Sequence, residues 1–381
     1  MRLALVVLAV ALTSCSSTRP PADPVAARLD HHAPRLIEAY GIAGIGVGVL
    51  RDGDLAWTRY YGEQRPGVPA SAETVFNTAS VSKTVTAEAF LALDEAGLFG
   101  LDDPIAPYVR HPDLADDPRY DLLTPRILLS HRSGLLNWPH SYDDGRLAFV
   151  RDPGTAYGYS GAGVELAVRA AEARLGQDYE AVLREHVFGP AGVREMGMGV
   201  EDWLDGRLAT PMDEGGVYRP VAELNPNLTP GAPGDWNGAD DLLTTVEAYA
   251  TLLAHVLDDG PRAAARTTVL TSLDGDPIYD CEPTPAVRCP DAYGHSVGWM
   301  AYDYGDHTVL LHAGSDAGEQ ALVYGSPETG DGAVIFVNGA AGFLAVAQIL
   351  DLLGQEPAFS AYYRQLIDRV LGVDLESLRE G

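Results

Sequence analysis

The sequence predicts an α+β fold in which a mainly antiparallel sheet, built from both ends of the chain, carries an inserted helical domain. Short strand-like runs flank an Asp-Gly turn near the start of the chain, and similar runs return near its end. Between them the sequence is typical of helices and long loops. A chain of 381 residues provides for one large or two interlocked domains.

The first predicted element is a helix over residues 25–40. Asp23 and Pro24 are typical of a helix start, and Gly41 is typical of a helix end. Two strands, residues 42–50 and 55–61, then flank an Asp-Gly turn that predicts a hairpin.

The remaining elements follow from hydrophobic periodicity and from glycine and proline breaks. Residues 25–82 and 271–381 are predicted to form the sheet domain, and residues 83–270 the helical domain. The helices are expected at about 84–96, 164–175, 179–187, 245–257, 343–353 and 358–371, and the late strands at 296–302, 308–312, 321–324 and 333–338.

Composition excludes some classes of partner. The formal net charge is -28, so the surface repels phosphate backbones, and nucleic acid is not an expected partner. No cofactor or metal is expected either. The histidine nearest the loop cysteines Cys281 and Cys289 is His295, and it does not stand at a spacing from them that is typical of metal ligands. In an oxidising compartment these two cysteines form a plausible disulfide, and two free thiols are the alternative.

The chain contains a single lysine, Lys83, three residues after Ser80 at the start of a predicted helix. This spacing puts both side chains on one helix face. A serine hydroxyl needs a base to become a good nucleophile, and lysine can be that base where burial and a helix N-terminus disfavour its ammonium form. Arginine cannot replace it. The alternative is a surface lysine near a helix cap.

Two later segments offer further polar groups. Residues 153–163 form a loop that runs into a helix and presents the phenol of Tyr159. Residues 309–315 form an apolar strand that ends in His312 and Gly314, where a backbone edge could receive a substrate.

With these segments in place, the chain resembles the serine beta-lactamase and penicillin-binding-protein superfamily. The resemblance is to its class C-like branch, which also holds D-stereospecific peptidases and lipolytic esterases. Six segments match in family order across residues 30–340: 76–83, 101–104, 128–135, 153–163, 186–192 and 312–314.

The resemblance implies a beta-lactamase/transpeptidase-like fold and an acyl-enzyme on Ser80, formed from a small-molecule or peptide substrate with an ester or amide carbonyl. Lys83 would share in taking the serine proton, and Tyr159 would pass a proton to the leaving group. The backbone N–H groups of Ser80 and Ser315 would form the oxyanion hole. The substrate would contact His312, Ala313, Gly314 and Gly161, with Trp236 either lining the cleft or packing on its own loop.

Two departures from the family pattern limit the choice of substrate. The usual Tyr-x-Asn is Tyr159-Ser160-Gly161, and the usual Lys-Thr-Gly is His312-Ala313-Gly314. A protonated histidine could partly replace the missing cation. Both changes favour an esterase or peptidase over a true beta-lactamase. The alternative function is a non-catalytic receptor or scaffold that binds peptidoglycan fragments or penicillin, but such a binder has no need of the Ser80, Lys83 and Tyr159 set.

Several other polar residues have plainer interpretations. His131 lies in a Ser-x-x-Ser-Gly stretch and is expected to stabilise a turn. His31 and His32 are expected on a solvated helix face. Asp240 and Asp241 are expected on a solvated surface, not in a metal site.

The first residues are typical of an export signal. Arg2 precedes an apolar run over residues 3–12, which is too short to span a membrane. The run meets Cys15 in a segment that resembles a bacterial lipobox, so residues 1–14 would be the signal and 15–24 a lipidated tether. Ser16 resembles the pattern sent to the outer membrane, where one anchor would hold the protein facing the periplasm or exterior. An ordinary cleaved signal ending near Ser14 is the alternative.

Intact-mass measurement on membrane fractions tests the anchor. We expect a mature protein that begins at a lipidated Cys15. A soluble species that begins after a non-cysteine cleavage site would contradict this prediction.

Overall fold

The computed structural model describes residues 23–199, 202–204, 206–220, 223, 237–258 and 260–372. Nine strands form one antiparallel sheet: β1 (Gly44–Arg51), β2 (Asp54–Arg65), β3 (Val68–Pro69), β7 (Thr271–Ser272), β8 (Ala292–His295), β9 (Met300–Asp303), β10 (Thr308–Asp316), β11 (Glu319–Gly325) and β12 (Gly332–Asn338). A second, three-stranded sheet contains β4 (Phe76–Asn77), β5 (Met196–Met198) and β6 (Leu242–Thr244).

The helices flank both faces of the large sheet. Those of the described residues are α1 (Pro24–Tyr40), α2 (Ser82–Glu95), α3 (Pro125–Leu129), α4 (Gly161–Leu175), α5 (Tyr179–Leu183), α6 (Val246–Leu257), α7 (Ala263–Thr267), α8 (Gly342–Leu353) and α9 (Pro357–Leu371). The predicted caps of α1 are present: the Asp23 side chain accepts from two backbone N–H groups of the first turn, and Gly41 is left-handed.

The large sheet joins the two ends of the chain. Its strands run in the order β3, β2, β1, β12, β11, β10, β9, β8, β7. The two ends meet where β1 pairs with β12, with Ile45 opposite Val337. The predicted antiparallel sheet with flanking helices is therefore confirmed.

Alternate residues of the strands face two separate cores, as the pleat requires. Along β10, Val309 and Leu311 pack with the core under α1, α8 and α9. Leu310 points the other way, into the core that contains α2 and α6. The sheet thus holds α2 on one face while α8 and α9 cover the other.

One predicted strand is wrong. Residues 296–302 do not form a single strand, because the chain reverses at Gly298 between β8 and β9. Ser296 donates its backbone N–H to the Trp299 carbonyl at 2.8 Å, which closes the turn. The apolar pattern is typical of a strand, but here it arises because the turn itself is buried. Val297 and Trp299 pack into the core beside α2.

A disulfide links Cys281 and Cys289, whose Cα atoms are 5.8 Å apart. It closes a loop between β7 and β8. Of the two alternatives that the sequence left open, the structure contains the bonded pair. Among the described helices, none combines the length and the apolar character needed to cross a membrane.

A buried ion pair ties α2 to the rest of the molecule. Glu88 on α2 accepts two hydrogen bonds from Arg266 on α7, at 2.8 and 2.7 Å, and both side chains are 4% exposed. The same carboxylate accepts a third hydrogen bond from the Trp299 indole N–H at 3.1 Å. Removing one member of such a pair leaves the other charge buried without its partner.

The substitution Glu88→Gln should therefore lower the free energy of unfolding by about 3 kcal/mol. Glu95, which pairs with Arg262 near the end of α2, is the matched control because that pair is partly solvent-exposed. Glu95→Gln should cost at most about 1 kcal/mol. Urea denaturation measures both, and equal costs would contradict the importance given to the buried pair.

Candidate active site

Ser80 lies on a strained turn that leads into α2. The single 3₁₀ turn Ala79–Val81 precedes the helix, and Ala79 has φ of +47°, a left-handed value that is unfavourable for a residue with a Cβ. The Asn77 side chain holds this turn by accepting from the Ala79 N–H at 3.0 Å. Asn77 also donates to the buried carboxyl of Glu319 at 2.8 Å. The surrounding structure thus imposes the conformation of the turn that carries Ser80.

Lys83 is buried, with 1% of its surface exposed. Its Nζ donates to Ser80 Oγ at 2.8 Å and to the Ala239 carbonyl at 2.7 Å. Nζ also lies 5.0 Å from the centre of the Tyr159 ring and 5.8 Å from that of Trp138. The structure therefore brings Ser80, Lys83 and Tyr159 together, and the alternative of a surface lysine is wrong.

The Tyr159 loop is held by His131. The two rings stack with centroids 4.3 Å apart, and His131 Nδ1 accepts from the Ser160 N–H at 3.1 Å. Burial lowers the pKa of His131 well below its usual value, so the ring is neutral. His131 itself has φ of +56° in a turn, as its predicted turn-stabilising role requires.

The edge of β10 lies against the nucleophile turn. An added Cβ at Gly314 would lie 2.1 Å from the Thr78 carbonyl oxygen and 3.2 Å from the Ser80 nitrogen, so a glycine is required for this close approach. The ladder between β9 and β10 ends at Leu311. The β10 backbone from His312 onward, with Ala313 and Ser315, is therefore not paired with β9 beside Ser80.

His312 faces the same site but carries no charge at neutral pH. It is 4% exposed, and burial together with the neighbouring Lys83 charge lowers its pKa to about 3. Burial therefore opposes the suggestion that a protonated histidine replaces the family's lysine near pH 7. The cause is desolvation, which the sequence pattern did not show.

Trp138 fills the space that the usual asparagine of the second motif would need. A Cβ at Gly161 would lie 2.2 Å from a carbon of the Trp138 ring. The Gly161 N–H donates to the Asn137 side chain at 2.8 Å. Sequence reasoning missed Trp138, although the glycine at position 161 left a gap that a nearby aromatic side chain could fill. Trp236, the other predicted tryptophan, lies outside the described residues.

The prediction of a solvated acidic pair at Asp240 and Asp241 is wrong. Asp241 is 1% exposed, and Asp240 Oδ1 accepts a hydrogen bond from Ser80 Oγ at 3.1 Å. Asp241 is buried and Asp240 is half-buried because the backbone before them runs along α2, where Lys83 and Thr86 donate to it. The small residues before the pair and the apolar ones after it were the signal for burial. In the described part of the chain, no group of three acidic, histidine or cysteine side chains is arranged to hold a metal.

A cavity of about 540 Å³ opens at Ser80. Its wall passes Tyr159, His295 and the edge of β10, and continues along an apolar side made of Ile278, Met300, Leu311, Leu366, Ile367 and Val370. Neither ring nitrogen of His295 has a hydrogen-bond partner among the described residues, and burial lowers its pKa to about 3. The cavity thus presents the neutral rings of His295 and His312 in a largely apolar wall.

Several known proteins are similar to this chain in sequence or in structure. The chain is 27% identical over 369 residues to penicillin-binding protein 4 of Amycolatopsis lactamdurans, covering 91% of this chain and 88% of that protein. It is 28% identical over 295 residues to esterase EstB of Burkholderia gladioli, covering 63% and 75% of the two chains. The crystal structure of D-alanine carboxypeptidase AmpC from Burkholderia cenocepacia superposes with a TM-score of 0.66 at 19% identity, covering 86% of this chain and 98% of that one.

The TM-score confirms the fold, and the sequence similarities agree with the predicted superfamily. The family model described as Beta-lactamase matches residues 29–354, most of the chain. With Ser80 and Lys83 in contact beside Tyr159, this chain belongs to the Beta-lactamase family.

Proposed function

We propose that this protein is a serine hydrolase that cleaves neutral carboxylic esters with an apolar substituent, through an acyl-enzyme on Ser80. The observation that carries the proposal is the 2.8 Å contact of Ser80 Oγ with Lys83 Nζ at the mouth of a cavity with a largely apolar wall. The similarity to esterase EstB supports the ester substrate.

Each part of an acyl transfer has a candidate group. Ser80 attacks the carbonyl carbon, with its Oγ contacted by Lys83 and Asp240. The N–H groups of Ser80 and Ser315 stabilise the developing oxyanion, and the close approach at Gly314 favours this role. Tyr159, held by the His131 ring, passes a proton to the leaving group.

The polar groups of the cavity favour a neutral substrate. Beta-lactams and D-alanyl peptides present a carboxylate, which needs a cationic or strongly donating partner when it leaves water. His312 is neutral at pH 7, and the carboxyl of Asp240 adds negative charge beside Ser80. Trp138 leaves no room for the amide that would contact a substrate amide group. These features disfavour anionic and peptide substrates and leave neutral esters as the best fit.

We further propose that the enzyme acts at the cell envelope, held by a lipid on Cys15. The support is the sequence of the first residues alone, which precede the described part of the chain.

A parallel assay tests the proposed function. Purified protein is given p-nitrophenyl butyrate, a chromogenic cephalosporin and a D-Ala-D-Ala peptide, and kcat/KM is measured for each. We expect the ester to be the best substrate and Ser80→Ala to lower its turnover by about a thousandfold or more. An active Ser80→Ala variant would refute the acyl-enzyme, and a better rate on either of the other two substrates would refute the ester preference.

The substitution Lys83→Arg should abolish acylation of Ser80 while the protein stays folded. A guanidinium is larger and planar, so it cannot reproduce the Nζ contacts with Ser80 Oγ and the Ala239 carbonyl in this buried space. Ester turnover and circular dichroism measure the two effects. Substantial turnover by a folded Lys83→Arg variant would show that the lysine is not essential for acylation.

A further inference from the structure

We propose that Asp240 is a catalytic residue, the base that takes the proton of Ser80 during acylation and the proton of water during deacylation. The inference rests on the proposed function and assigns the proton transfers within it. Nothing in the motif segments that identify the family points to this carboxylate.

The hydrogen bonds of Ser80 Oγ show where its proton goes. Oγ has two partners, Lys83 Nζ at 2.8 Å and Asp240 Oδ1 at 3.1 Å. A carboxylate can only accept, whereas the lysine amine donates both to Oγ and to the Ala239 carbonyl at 2.7 Å. The serine hydroxyl proton therefore lies on the line to Asp240. Lys83 then stabilises negative charge that develops on Oγ.

The backbone around Asp240 is held in register along the first turns of α2. Thr86 donates to the Gly238 carbonyl at 2.6 Å, and Lys83 donates to the next carbonyl, that of Ala239. On the other side of Asp240, the Leu242 N–H donates to Ser82 Oγ at 2.9 Å. Because α2 also carries Lys83 and follows Ser80 directly, these contacts hold the carboxylate in place relative to the nucleophile.

The surroundings make Asp240 a stronger base than a solvated carboxylate. Burial raises its pKa, while the Lys83 charge and the Ser80 hydrogen bond lower it, and the net shift is upward. The charged groups that interact with Asp240 are Lys83, Asp241 and Glu319. Asp316 interacts with Asp241 and Glu319, and Glu165 interacts with Asp241.

With Asp240 as the base, each proton released in acylation and in deacylation has an acceptor. In acylation, Ser80 Oγ bonds to the ester carbon as its proton passes to Asp240, the bond to the alcohol breaks, and the alkoxide takes that proton with Tyr159 as relay. In deacylation, water bonds to the acyl carbon as one of its protons passes to Asp240. The bond to Oγ then breaks, and Oγ takes the proton back from Asp240.

The test compares Asp240→Asn with Asp241→Asn, using the rate of the p-nitrophenol burst from p-nitrophenyl butyrate as the measure of acylation. An amide at position 240 keeps the shape of the side chain but cannot take the proton. Asp241 is buried one residue away, and its side chain accepts a hydrogen bond from the Asn237 N–H at 2.6 Å, so its amide variant is the matched control. We expect acylation to slow by about 100-fold or more in Asp240→Asn. It should change by no more than about threefold in Asp241→Asn.

The pH dependence adds a second readout. Asp240 acts as a base only when ionised, so the wild-type rate should fall as the pH drops through its raised pKa. This acid limb should be lost in Asp240→Asn. In Asp240→Ala, added formate should restore part of the rate, whereas chloride at the same ionic strength should not.

An Asp240→Asn variant that acylates within about threefold of wild type would overturn the inference. If that variant does not fold, Asp240→Ala decides: no rescue by formate overturns the inference, and specific rescue supports it. Hydrolysis by wild type but not by Ser80→Ala keeps the proposed function intact whatever Asp240 does. A wild type without ester hydrolysis would remove the proposed function and the inference together.

Discussion

The candidate site depends on the packing of residues 237–242 along the first turns of α2. Lys83 is the centre of this contact, because its Nζ contacts both Ser80 Oγ and the Ala239 carbonyl. If that segment moved away, Lys83 would lose its acceptor and Asp240 would leave the serine. The buried Glu88–Arg266 pair one turn further along α2 fixes the same helix against α7 and Trp299. The geometry of the nucleophile is thus a property of helix packing, not of the serine turn alone.

Desolvation explains the electrostatics of the site. Burial keeps His131, His295 and His312 neutral by lowering their pKa values, and it raises the pKa of Asp240. Lys83 is the only lysine of the chain, so no other lysine could stand near a substrate carboxylate. A site of this kind pairs one buried lysine with the serine and presents neutral rings to the substrate. This charge distribution is the physical reason for proposing neutral esters as the substrates.

Much of the fold could be predicted because helix caps, turn residues and alternating strands are local features. The caps at Asp23 and Gly41 and the hairpin between β1 and β2 follow from such signals. The buried turn at Gly298 did not, because apolar residues in a turn look like a strand. Of the site, the Ser80 and Lys83 pair could be predicted from spacing. Asp240 and Trp138 could not, because their roles depend on tertiary contacts with segments 160 and 23 residues away in the chain.

The central claim is that Ser80, activated by its contacts with Lys83 and Asp240, is the nucleophile. The most direct measurement is peptide mapping by mass spectrometry after reaction with a fluorophosphonate probe. The account predicts one covalent adduct per chain, on Ser80. An adduct on another residue, or no adduct on Ser80 in protein that still hydrolyses esters, would contradict it.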